Sequence, residues 1–420
     1  MKQIAQFFTL YWIIYFPTCI AFNDLPGFSS IDEVMTGILV IYTFRNYGKR
    51  RITNVKPWKE YFTFIYILLF YIVYSLCFGA NVAESVLYDL MQQVRPWSII
   101  YCTWILNPRF SRMQKKWMAY SMLVTLIVFL IYHPETAANA FSEGSEFRSA
   151  PFGQLAICTS MGWYLFNDKT KKNIYIATVI AVVGLLGMKF KYYGQFGAWM
   201  FMLYYMKGKF SFRSNRMVST IISLAILAFV VLLLGWERFH AYYIEGSIAT
   251  DRRARPEMNK ALWQILWDYF PFGSGLGSYA TAASAVYYSP IWEKYNLHTI
   301  WGLQNYGVVA FHCDNFFASF GQIGWAGIYM FYVFWKRRFQ QFQRIMDMRY
   351  YKVAMMAFFC IFIEWFGDSS FFSGKGMGYC MLIALCLNAN RNMGLTDSGK
   401  VRPSVAEIEE KKESQEEAQV

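Results

Sequence analysis

The sequence predicts an all-α polytopic membrane protein, with about 12 transmembrane helices and one large external loop between spans nine and ten. Apolar residues make up 56% of the 420-residue chain and charged residues only 16%, whereas a soluble globular protein has about 25% charged residues. The apolar residues form long continuous runs, and a helix needs about 20 such residues to cross a bilayer. The cations are concentrated in alternate loops, as expected when successive loops lie on opposite sides of a membrane.

The predicted spans divide the chain into four parts. Residues 1–236 contain helices one to nine, 237–311 form the large external loop with an amphipathic helix, 312–390 contain helices ten to twelve, and 391–420 form a disordered cytoplasmic tail. The first apolar run is interpreted as a retained span rather than a cleaved signal peptide. The spans cover 4–22, 31–45, 60–79, 86–107, 117–133, 151–167, 173–188, 192–206, 217–236, 312–335, 351–367 and 376–390.

The net charge of +13 is explained by the loops. Loops after even-numbered spans are basic, for example 45–59, 109–116 and 336–352, whereas the opposite loops at 23–30 and 79–85 contain no Lys or Arg. By the positive-inside rule, the basic loops and both termini are cytoplasmic. The positive charge therefore needs no nucleic-acid partner.

The cysteine and histidine patterns do not favour a metal site. The eight cysteines form no C-x-x-C pair, and the four histidines include neither an i, i+4 pair nor an H-E-x-x-H motif. We expect no metal and no cofactor.

The external loop contains PEMNKALWQILWDYF, whose apolar residues recur at helical spacing, with Pro256 in the first turn. Two interpretations stay open: a helix that lies on the membrane surface or packs on the bundle, or a lid over a site near the outer surface. The following PFGSGLGSY is interpreted as a tight turn, because no strand precedes it as in nucleotide-binding loops.

Basic residues on the predicted external side depart from the positive-inside rule. Such cations near apolar helix ends indicate an anionic partner, and Arg presents a planar fork that matches phosphate oxygens. The alternative is that each is a cation at the membrane interface. The candidates for binding a diphosphate are Arg148, Lys189, Lys191, Arg252, Arg253 and Arg255.

Polar residues at the predicted outer mouth of span ten are candidates for acid–base chemistry. His312 and Asp314 could act as a general base, although Asp314 could equally cap a helix. Asn315 and the loop residue His298 are secondary candidates.

Two further charged residues inside predicted spans are candidates for buried pairing or for a polar path. Arg95 is expected to pair with Asp89 or with a carbonyl group, or else to lie on a substrate path. Glu364, near the end of span eleven, is expected at a hydrated helix end or at the same outer mouth.

The sequence resembles the O-antigen polymerase and ligase superfamily, the Wzy-type integral membrane glycosyltransferases. An Arg and an amphipathic stretch precede a P-x-x-G-x-G-x-G turn, an Asp-Asn pair and a G-x-x-G span. Arg148 in FRSAPFG matches a second family feature, Lys189 or Lys191 approximates a third, and Cys313-Asp314 stands where ligases have His-Asn. The matching residues from the first pattern are Arg255, Pro271, Gly273, Gly275, Gly277, Asp314, Asn315, Gly324 and Gly327.

The resemblance implies polymerisation of lipid-linked oligosaccharide repeat units into a surface polysaccharide, such as O-antigen, at the periplasmic face of the bacterial inner membrane. The implied donor is an undecaprenyl-diphosphate-linked oligosaccharide, and the implied partners are membrane lipid and a chain-length regulator and flippase of the same pathway. Arg148, Arg255 and Lys191 would stabilise the diphosphate, and His312 or Asp314 would deprotonate the acceptor. Alternatives are an O-antigen ligase acting on lipid A-core, a related cell-wall polymerase, and a lipid-linked saccharide transporter or flippase.

Overall fold

The computed structural model describes residues 2–22, 30–48, 55–140, 150–187, 189–210, 218, 240, 253–306, 313–367 and 370–392. In these ranges the regular structure is helical, without strands. The α-helices are α1 (Lys2–Tyr15), α2 (Ile31–Gly48), α3 (Val55–Phe78), α4 (Ala83–Leu106), α5 (Arg112–Tyr132), α6 (Glu135–Ala140), α7 (Ala150–Phe166), α8 (Lys171–Val183), α9 (Phe190–Met200), α10 (Ala254–Asp268), α11 (Ala282–Val286), α12 (Pro290–Lys294), α13 (Phe320–Gln343), α14 (Met348–Gly367), α15 (Gly374–Leu387) and α16 (Ala389–Asn392).

Every predicted span contains a helix except the ninth, which lies outside the described residues apart from Val218. Within the ranges that the structure describes, three helical segments are long and apolar enough to cross a membrane: Lys2–Ala21, Lys56–Phe78 and Arg112–Tyr132. The chain is therefore a helical protein with segments fit for a bilayer, whereas the number of spans stays a prediction. The predicted tail lies outside the described residues beyond 392.

Several helices change their winding part-way. A π-helix at Phe16–Ala21 continues α1 and contains Pro17, which has no N–H to donate to the ordinary helical bond. A 3₁₀ turn at Gly184–Gly187 follows α8, and a π-helix at Phe201–Tyr205 follows α9.

Contacts between helix termini place the basic segments together, and we call this side of the molecule the basic end. Arg338, near the end of α13, pairs with Glu60 at the start of α3. Arg349 donates to the carbonyl of Asn167, which joins the start of α14 to the end of α7, at 3.4 Å. The side-chain amide of Asn388 donates to the Trp104 carbonyl at 3.2 Å, so the ends of α15 and α4 also lie at the basic end. Helices that follow one another in the chain, namely α3 and α4 and then α13 to α15, thus alternate in direction.

The pairing expected for Arg95 is wrong. Its guanidinium forms a buried ion pair with Asp32 and a second with Glu33 at 3.0 Å, both at the start of α2. Asp89 lies about 120° away around α4, since each helical residue turns the chain by about 100°. Asp89 instead accepts the backbone N–H of Gly277 at 3.1 Å.

Candidate functional site

Residues 253–306 fold into a compact helical layer rather than an irregular loop. Helix α10 buries Met258 and Ile265, and these pack with the buried Trp292, whose indole donates to the Ser284 carbonyl at 2.9 Å. Burial raises the pKa of Tyr279 well above its ordinary value. The Tyr279 phenol therefore stays protonated and donates to the Met258 carbonyl at 2.6 Å. The amphipathic helix expected near 256–270 is confirmed as α10, which packs on α13.

The glycine-rich turn after α10 anchors this layer to the ends of α3, α4 and α13. Gly273, Gly275 and Gly277 all have positive φ, from 71° to 92°, where side chains are strained. A Cβ on Gly277 would stand 2.5 Å from the backbone oxygen of Ser85, and one on Gly275 would stand 2.8 Å from Gly79 Cα. The glycines are therefore needed both for conformation and for close approach of backbones.

Every backbone N–H group of this turn donates a hydrogen bond to an oxygen of the protein. From Gly273 to Ser278, successive N–H groups donate to oxygens of Tyr269, Gly321, Gln322, Ser75, Asp89 and Gln322. None of these amides is available to cradle a phosphate, so the interpretation as a structural turn is confirmed.

The same turn interrupts α13. Gly324 has φ 62° and ψ −167° inside the helix, and the Pro271 carbonyl accepts the N–H of Ala326 at 3.0 Å. The predicted tenth span, 312–335, was placed too early, because the helix begins only at Phe320. Since Ser319 is the residue before that helix, Asp314 is too far away to cap it.

Asn315 is the junction between α10 and the turn that leads into α13. Its amide nitrogen donates to Asn259 Oδ1 at 3.1 Å and to the Arg255 carbonyl at 3.4 Å. Its amide oxygen accepts the N–H of Ala318 at 3.3 Å. The Asn315 side chain is buried, so these bonds fix the first turn of α10 against the Asp314–Asn315 pair.

Arg255 and Asp314 are thereby brought to one place. Both charges act electrostatically on the buried thiol of Cys313, with opposite signs. Arg253 is the residue before the first turn of α10 and Arg255 lies within that turn. Asp314 and Arg255 thus lie near each other at the start of α10.

Aromatic side chains pack next to the Asn315 junction. Phe316 stacks on Trp365 of α14, with ring centroids 4.7 Å apart and planes 5° apart. The neighbouring residue Glu364 is 1% exposed and pairs with Lys191 of α9. Gln195 also donates to Glu364, at 2.8 Å. Lys191 is therefore neutralised by a carboxylate within the protein, and Glu364 lies in a buried network rather than at a hydrated helix end.

The remaining predicted residues are distributed as follows. Lys189 precedes the first turn of α9. His298 lies in a 3₁₀ turn that contacts α10, and its Nδ1 is buried without a hydrogen-bond partner among the described residues. Arg148, Arg252 and His312 fall outside the described residues.

Sequence reasoning missed two supporting residues. Asn259 lies one helical turn after Arg255, a spacing that places both on one face. Gln322 is 1% exposed and accepts the N–H of Ser278 at 3.0 Å, which holds the glycine turn. Among the described residues, no group of three or more His, Cys, Asp and Glu side chains could hold a metal ion.

Comparison of the chain with protein-family models, and with curated proteins, finds no match.

Proposed function

We propose that this chain is a polysaccharide polymerase of the bacterial inner membrane, which transfers a glycan from a polyprenyl diphosphate to the next lipid-linked repeat unit on the periplasmic side. The observation that carries the proposal is the junction at Asn315, which holds Arg255 and Asp314 together although they are far apart in sequence.

The start of α10 is suited to an anion. The N-terminus of a helix carries a partial positive charge and disfavours nearby cations. Arg253 and Arg255 nevertheless lie there. The oxygens of a bound diphosphate can accept bonds from both guanidinium groups and from the helix N-terminus, while the Glu257 carboxylate in the same turn is paired with Lys260.

The chemistry requires one base and an activated leaving group. As the acceptor hydroxyl attacks C1 of the donor sugar, negative charge accumulates on the departing diphosphate, where Arg255 and Arg148 would stabilise it. Asp314 or His312 would take the hydroxyl proton. The C1–O bond to the diphosphate breaks as the new C1–O bond forms, so direct displacement inverts the configuration at C1.

The first experiment measures glycan polymer formed from lipid-linked oligosaccharide by the purified protein. We expect Arg255→Ala to lower the rate by about 100-fold or more, as for loss of one group that stabilises developing charge. Arg255→Lys should recover little, because the planar fork is lost. Lys260→Ala is the matched control: Lys260 is exposed, lies on α10 and pairs with Glu257, and its loss should leave the rate unchanged.

Three outcomes would overturn the proposal. Full-length polymer from both Arg148→Ala and Arg255→Ala would remove the diphosphate role. Movement of lipid-linked saccharide across a bilayer without any polymer would indicate a transporter, and efficient use of lipid A-core as acceptor would indicate a ligase. Size-exclusion profiles of each variant would establish that the protein is still folded.

A further inference from the structure

A cavity of about 490 Å³ lies between α3, α4 and α13 and extends from Lys59 at the basic end to Phe316, the residue after Asn315. Its body is apolar and aromatic. Along α3, lining residues run from Lys59 to Tyr71, a distance of about 18 Å at 1.5 Å per residue. This is roughly the depth of one leaflet, since the hydrocarbon core is about 30 Å thick. Lining residues from the body of the cavity include Ile67, Leu68, Trp97, Met330, Phe331 and Phe334.

The cavity opens beside a surface fit for lipid. The spanning segment of α3 is only 17% buried. Tyr66 on α3 and Tyr329 on α13 are 69% and 67% exposed. In a bilayer, a hydrocarbon chain could therefore enter the cavity sideways without crossing water.

Charged residues line the cavity at the basic end. Lys59 and Arg337 are exposed there, while Glu60 and Arg338 form an ion pair. The lining thus contains three cations and one carboxylate, which leaves an excess of positive charge beside an apolar chamber.

Arg338 is incompletely satisfied. Its side chain is 0% exposed and its guanidinium lies 4.5 Å from the Trp104 ring centroid and 5.0 Å from that of Phe334. One nitrogen binds Glu60. Its Nε and Nη1 are buried and have no hydrogen-bond partner among the residues that the structure describes. Because the Arg338 side chain is 0% exposed and lies against two aromatic rings, it adds positive charge beside the cavity without contacting a ligand in it.

We propose that the cavity binds one anionic phospholipid from the leaflet at the basic end, with an acyl chain in the apolar body and the phosphate at the exposed cations Lys59 and Arg337. Basic pockets between membrane helices bind anionic headgroups in this way. The binding of an anionic lipid does not depend on the proposed function, but the choice of a phospholipid over the polyprenyl carrier rests on it. The polyprenyl carrier is a poorer occupant, because its diphosphate would lie near Arg255 and leave the cations of the basic end uncompensated.

The experiment uses the full chain, delipidated in detergent and titrated with phosphatidylglycerol or phosphatidylcholine while bound lipid is counted by native mass spectrometry. We expect one tightly bound phosphatidylglycerol and weaker binding of phosphatidylcholine. Lys59→Gln and Arg337→Gln should each weaken phosphatidylglycerol binding about 5-fold, and together about 25-fold, since each cation near an anionic lipid contributes about 1 kcal/mol. Lys336→Gln is the matched control, because Lys336 precedes Arg337 but does not line the cavity.

A second pair of variants tests whether the lipid's acyl chain occupies the cavity. Thr63 lines the cavity, so Thr63→Trp should fill it and abolish the tight site. Tyr66→Trp, on the outer face of the same helix, should leave it unchanged. Equal binding of the two lipids, equal loss in the Lys336 control, or retention of a polyprenyl lipid instead of a phospholipid would each overturn the proposal.

Discussion

Replacing Asn315 by Ala should release α10 from the turn before α13. The change removes the two bonds from Asn315 to α10, one to Asn259 Oδ1 at 3.1 Å and a longer, weaker one to the Arg255 carbonyl at 3.4 Å. The bond from the Ala318 N–H lies within the turn itself and does not hold α10. At about 1 kcal/mol for the first bond and about 0.5 kcal/mol for the second, the docked state of α10 should lose about 1.5 kcal/mol, or about 10-fold in its equilibrium constant.

Hydrogen–deuterium exchange measures this loss directly. Amides in the centre of α10, such as those of Leu262 and Ile265, should exchange about 10-fold faster in Asn315→Ala, since their exchange requires undocking. Asn305→Ala is the control, since Asn305 is exposed in the same layer. If both variants exchange alike, Asn315 does not fix α10 and the geometry assigned to Arg255 loses its support. Polymer formation, under the proposed function, should fall with α10 docking.

Two further predictions concern buried charges and backbone conformation. Lys191→Met should lower the melting temperature by several degrees, because the 1% exposed carboxylate of Glu364 loses its cationic partner. Removing one partner of a buried ion pair lowers the free energy of unfolding by about 3–5 kcal/mol. Adding Glu364→Gln should restore most of that stability, and simple additivity in this double-mutant cycle would show that the pair is not coupled. Gly277→Ala should lower the free energy of unfolding by about 1–3 kcal/mol because of the positive φ at this position. The clash of the new Cβ with a backbone oxygen 2.5 Å away should lower it further. The control is Gly37→Ala, whose Cβ would meet no atom within 4 Å and which should be neutral or stabilising in the same thermal melt.

Local features of the sequence were enough to predict helices and their general positions. Continuous apolar runs must satisfy their own backbone hydrogen bonds in lipid, and an α-helix does so within one segment. The apolar spacing of 256–270 likewise predicted α10, and the three glycines of PFGSGLGSY predicted a turn with positive φ. The alternation of loop charge predicted which helix ends meet.

Pairings between distant residues were not predictable in this way. Arg95 has Asp89 nearby in sequence, yet it pairs with Asp32, because the neighbouring carboxylate points away around the helix. Lys191 has no local carboxylate and finds Glu364 instead, 173 residues away. Such choices depend on how helices pack, which the composition of any one segment does not specify.

By itself, the sequence determined a helical membrane chain, its basic end, the helix at α10 and the glycine turn, since each follows from the local demands of the backbone and of lipid. Only the tertiary structure decided that Asn315 reaches Asn259, 56 residues away, that Lys191 is neutralised, and that Arg338 has donors without acceptors among the described residues. The physical reason is that hydrogen bonds and ion pairs are satisfied in three dimensions, where packing determines which side chains lie within 3 Å or so of each other.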